Sequence, residues 1–102
     1  MTAGALRIER GEGGQFRVAG RLGFSEAATA LARSSELLVA NGGEVSIDVS
    51  GLEAVDSATL AVLLAWGARA QTTGIVLRFI GVPAGLRALA HLCDAEPLLG
   101  IA

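Results

Sequence analysis

Asp56 and Ser57 stand side by side in "DVSGLEAVDSATLAVLLAW", residues 48–66, where a strand-like run gives way to a long apolar one. Their oxygens can do two kinds of chemistry. A helix begins with amide groups that have no partner inside it, and either side chain can accept from them as an N-cap. One cap is enough. If Asp56 supplies it, the Ser57 hydroxyl lies free in the first turn, where the helix dipole favours an added phosphate and neighbouring Asp56 opposes it.

Other residues offer less. His91 and Cys93 are two potential metal ligands without a second pair, too few for a zinc site, so no metal is expected. Helical spacing assigns Cys93 to the core and His91 to the surface. With one His, one Cys, no Tyr and no Lys, the chain shows no nucleophile paired with a base, and no enzyme and no cofactor are expected. "GEGG" and "NGG" do not lie between a strand and a helix bearing the lysine of a phosphate-binding loop.

The elements that must hold the Asp56–Ser57 join can be read from hydrophobic period. "ALRIER" and "QFRVAG" alternate, with Leu6, Ile8, Phe16 and Val18 inward, and form an antiparallel hairpin around "GEGG". From Phe24, "SEAATALARSSELLVA" reads as helix one, with Ser25 as its cap, "NGG" at 41–43 as its end, and Leu31 and Leu38 among small residues as its inner stripe. "EVSIDVS" is a strand ending near Ser50. "SATLAVLLAWGARAQTTG" is helix two, "IVLRFIG" a central strand with apolar residues on both faces, and "PAGLRALAHLC" a third helix with Pro83 in its first turn. Leu86, Leu89 or Ala90, and Cys93 share that helix's inner face, and "DAEPLLGIA" closes the chain as a short edge strand or turn. The order β-β-α-β-α-β-α defines an α/β fold: a small, mostly parallel sheet with an N-terminal antiparallel hairpin, packed against about three helices.

At about 100° per residue, Leu60, Leu63, Leu64 and Gly67 gather on the core side of helix two. Opposite lie Ala58, Val62, Ala65, Trp66 and Arg69, an apolar strip where a free-standing domain normally carries charge. Trp66 either folds over a neighbouring loop as a peripheral core residue or anchors a docking face with Ser57, and the strip has an interface's composition.

Composition agrees with a contact role. The 102 residues, taken as a single domain over 1–102, are 52% apolar and only 18% charged, which leaves apolar surface to be covered by a partner, or by a second copy when that partner is missing. A net charge of -2, with eight positive residues that are all arginines scattered along the chain, excludes a nucleic-acid footprint. No segment reaches the roughly 20 apolar residues that would cross a bilayer, and none resembles a signal peptide, so a cytoplasmic protein without direct membrane insertion is expected.

These stretches, with "GIVLRFIGVPAGLRALAHLCDAEPLL", resemble a STAS domain, the anti-sigma factor antagonist-like fold, over nearly the whole chain. The resemblance implies that the loop before helix two and that helix bind a partner. In anti-sigma antagonists the motif reads Asp-Ser-Ser-Gly and a serine kinase phosphorylates its first serine; here Asp56 and Ser57 match, while Ala58 and Thr59 replace Ser-Gly. The chain is more similar to the small MlaB-type subunits. That branch implies docking on the ATPase of an ABC transporter, peripheral to the inner membrane, that moves phospholipids and maintains lipid asymmetry. The contact would use Ser57, Ala58, Thr59, Val62, Trp66 and Arg69, with Asp56 as helix cap. The alternative is an anti-sigma factor antagonist switched by phosphorylation of Ser57 by its kinase.

Overall fold

The computed structural model describes residues 5–13, 15–38, 43–53 and 55–99. Strands β1 (Arg7–Arg10) and β2 (Gln15–Arg21) form the antiparallel hairpin, and β3 (Glu44–Glu53) and β4 (Val76–Ile80) extend it in parallel, giving the order β1-β2-β3-β4. Helices α1 (Phe24–Ala32), α2 (Ser34–Leu37), α3 (Ser57–Thr72) and α4 (Ala84–Leu92) and a final 3-10 turn (Glu96–Leu99) complete the α/β architecture.

The core lies between the sheet and the helices. Val45, Ile47 and Val49 alternate inward on β3 while Glu44, Ser46, Asp48 and Ser50 do not, the pattern of a sheet covered on one face. That phase breaks after Val49, and the next buried residue is Leu52. Arg17 pairs with Asp48 but Ala19 with Gly51, so β3 carries one extra residue in a bulge. The strand does not end near Ser50; it changes phase there and continues to Glu53. A Cβ on Gly51 would stand 2.8 Å from Ala19 Cβ, so only glycine lets the two strands approach this closely. Beside it, Asp48 Oδ1 accepts from the Ser50 hydroxyl at 2.6 Å and from the Ser50 amide at 2.9 Å, which holds the Asp48 carboxyl below its usual range.

Other expectations need correction. β4 is an edge strand, and its outward Val76 and Ile80 are about half exposed. Helix one is two helices: its cap is Gly23, one residue before Phe24, not Ser25, because Glu26 Oε1 accepts the Gly23 amide at 2.9 Å. Arg33, at φ -86° and ψ 1°, breaks it before Ser34 and Ser35, residues that favour caps over helix interiors. The "NGG" stop falls at its first two residues outside the described segments. Pro83 is the N-cap of α4 and not its first helical residue. Cys93 is exposed because α4 stops at Leu92; its buried stripe is Leu86 and Ala90, continued by Ala95 and Leu99. The described part of the C-terminal segment holds the 3-10 turn (Glu96–Leu99), and residues 100–102 lie outside the described residues. His91 is exposed, with Nδ1 2.9 Å from Glu96 Oε1.

Candidate functional site

α3 starts where β3 delivers the chain to Asp56, whose extended backbone (φ -144°) ends the loop. Asp56 Oδ1 accepts the Thr59 amide at 3.1 Å, and Thr59 Oγ1 in return accepts the Asp56 amide at 3.1 Å, the two halves of a capping box. The Thr59 hydroxyl donates to the Leu22 carbonyl at 2.6 Å, tying the start of α3 to the segment that leads into α1. Thr59 is fully buried. It is a structural rivet and offers nothing to a partner, contrary to the expectation for it.

Thr59→Val keeps the shape but removes both bonds, leaving the Leu22 carbonyl and Asp56 amide without their partner. The expected loss is about 2–3 kcal/mol in a urea titration, and Thr59→Ser should recover most of it. Equal stability of the Val and Ser variants would refute the rivet.

The outward strip expected on α3 is also corrected at its centre. Val62 is 1% exposed and Trp66 0%, and Trp66 Nε1 donates to the Ala30 carbonyl at 3.2 Å. The cause is the one-sided helix layer. α3 lies on the sheet with α1 along one flank and α4 with the 3-10 turn along the other, so it buries three sides where a surface helix buries one. Arg69 is exposed, but its Nη1 donates to the Leu31 carbonyl at 3.0 Å and bonds the Ser34 hydroxyl, joining α3 to the break between α1 and α2. It lines a hollow with Ser34, Leu38 and Thr72, away from Ser57.

What remains at the surface is a groove of about 380 Å³ between α1 and the amino-terminal half of α3. Phe24, Ala27 and Leu31 form one wall; Ser57, Ala58, Ala61 and Val62 form the other. Ser57 supplies the only side-chain hydroxyl among them. Phe24 is 87% exposed, the most exposed large apolar side chain among the described residues. Sequence reasoning passed over Phe24 as the start of a helix, yet its spacing to Ala27 and Leu31, three and seven residues on, already marks one helical face.

Charge at this end of the groove is negative. A Cβ on Gly23 would stand 3.3 Å from Asp56 Oδ2 and 3.5 Å from Glu26 Oε1, so two carboxylates meet over the glycine that caps α1. They sit where two helix N-termini converge and already answer the positive ends of both dipoles. A phosphate on Ser57 would join two anions there. The arrangement therefore suits a neutral hydroxyl packed against apolar neighbours better than a charged group.

Among the described residues, no group of three or more His, Cys, Asp or Glu is placed to hold a metal, and no helix is long and apolar enough to cross a membrane.

A mixed sheet opened by an antiparallel hairpin, with a capped helix presenting a serine in its first turn, places the chain in the anti-sigma factor antagonist-like class of folds. Residues 7–100 match the family model described as Mlab, STAS domain, and the chain belongs to that family. No individually curated protein matches it in direct comparison.

Proposed function

We propose that the chain is a non-catalytic docking subunit that binds the ATPase of an ABC-type phospholipid transporter on the cytoplasmic face of the inner membrane, supporting its assembly and activity. The observation that carries this reading is the groove itself: an apolar cleft headed by exposed Phe24, with Ser57 and Ala58 on its far wall. An exposed aromatic beside small residues is the composition of an interface anchor and its socket. Family membership directs the choice of partner: the chain belongs to the Mlab STAS family, and the resemblance to MlaB-type subunits implies a transporter ATPase. Of the residues first expected to meet the partner, Ser57 and Ala58 stay in the contact and Val62 lines the groove wall behind them, while Thr59, Trp66 and Arg69 hold the groove together beneath or beside it.

A second reading keeps Ser57 as the phosphoacceptor of an anti-sigma factor kinase, and its support is that the residue is exposed in the first turn of α3. The carboxylates of Asp56 and Glu26 weigh against it. Recovery from native membranes with the tagged chain separates the two. Identification of an ABC ATPase, lost in a Ser57→Asp variant that places charge in the contact, supports the docking subunit. Recovery of a small serine kinase together with phosphate on Ser57 would sink it.

A further inference from the structure

Arg10 breaks the pattern of its own strand. Leu6 and Ile8 are partly buried against the core while Arg7 and Glu9 face outward, so the alternation assigns residue 10 to the inner, apolar face. An arginine stands there. It pairs across the hairpin with Phe16, and its guanidinium carbon lies 5.5 Å from the centre of the Phe16 ring. Among the described residues no carboxylate lies within ion-pair distance of it.

A cleft of about 340 Å³ opens at this point, lined by Ile8, Arg10, Phe16, Arg33 and Glu36. This is within the lower range of small-molecule sites, about 300–1,000 Å³. Ile8 and Phe16 supply its apolar surface. The opposite wall is the break between α1 and α2, where Arg33 Nε donates to Glu36 Oε2 at 3.0 Å. That bond pairs the charge of Arg33 with that of Glu36 and leaves Arg10 as the uncompensated charge of the cleft, while the Arg33 terminal amino groups make no hydrogen bond within the described structure and can still donate. The cleft therefore combines two guanidinium groups with hydrocarbon on the sheet side. A cation resting on an aromatic face beside apolar surface is a receptor for a ligand with one anionic end and one apolar end.

We infer that this cleft binds a small apolar carboxylate, its acid group between Arg10 and Arg33 and its hydrocarbon on Ile8 and Phe16. The site lies between the hairpin and the α1–α2 break. None of its residues lines the groove of Phe24 and Ser57, so it stands independently of the docking function.

Octanoate serves as probe, with octanol and acetate as controls, in a titration of the full chain followed by amide NMR. Octanoate should give saturable shifts centred on Ile8, Arg10, Phe16 and Arg33. Arg10→Gln, at an exposed edge position, should raise the half-saturating concentration about tenfold, the effect of losing one charge-assisted contact. Octanol and acetate should each bind more weakly by at least that factor. Four results would overturn the assignment: no saturation, an equal response to octanol, an equal response to acetate, or an unchanged Arg10→Gln titration. Self-association of Arg10→Gln with octanoate binding intact would show instead that the arginine guards the free edge of β1.

Discussion

Trp66→Glu is expected to leave the isolated chain unfolded, and not merely unable to bind. Trp66 is fully buried between α3 and α1, and its indole nitrogen satisfies the Ala30 carbonyl at 3.2 Å. Truncating such a side chain costs about 3–5 kcal/mol, and burying a carboxylate without a partner adds several more. A chain of 102 residues has about 5–15 kcal/mol in total. The sum reaches or exceeds what is available. Far-UV circular dichroism and a denaturant titration of the purified variant check this directly. A cooperative native transition, with partner binding alone lost, would restore Trp66 to the interface and discard the α1–α3 packing described for it.

Phe24→Ala is expected to do the reverse. With 87% of the side chain already in solvent, its removal should change the stability of the isolated chain by no more than about 0.5 kcal/mol. Loss of an aromatic anchor from an interface costs about 2 kcal/mol or more, so affinity for the proposed ATPase partner should fall about 30-fold or further. Calorimetric titration of the purified pair reads the affinity, and denaturation of the free variant supplies the control. Unaltered affinity would remove the groove from the contact even if the ATPase proves to be the partner. The two substitutions together separate a residue that builds the surface from one that constitutes it.

Much of the fold was legible because its signals are local. The alternation of Ile8, Phe16 and Val18 gave the hairpin, and the acid at Asp56 before an apolar run marked the start of α3. Failures arose where a residue's role depends on its neighbours. Val76 and Ile80 look like the second face of a central strand, but strand order decides whether that face is covered, and strand order is a non-local property. The bulge was missed because an inserted residue mimics the end of the alternation; resumption at Leu52 was the available sign.

Trp66 fails for a related reason. A helical wheel finds faces but cannot say how many neighbours a helix has. The better indicator was the absence of any charged residue from Ser57 through Ala68, since a helix that is apolar all round is a buried one. For the candidate site, Ser57 and Ala58 could be found from the join alone. Phe24, Ala27 and Leu31 show by their spacing that they share a face, but nothing in the linear chain says that this face lies beside α3.

The groove is built from two segments far apart in the chain and joined by a few bonds: Thr59 to Leu22, Trp66 to Ala30, and Arg69 to Leu31. Any excursion that separates α1 from α3 erases the groove, so a partner gripping both walls binds only the closed form. Its affinity then becomes part of the chain's own stability, about 2.7 kcal/mol when free partner stands at a hundred times its dissociation constant. An unassembled copy lacks that increment and opens more often. The lifetime of the chain in a cell would thus report on the supply of its partner, with surplus copies cleared first by proteases.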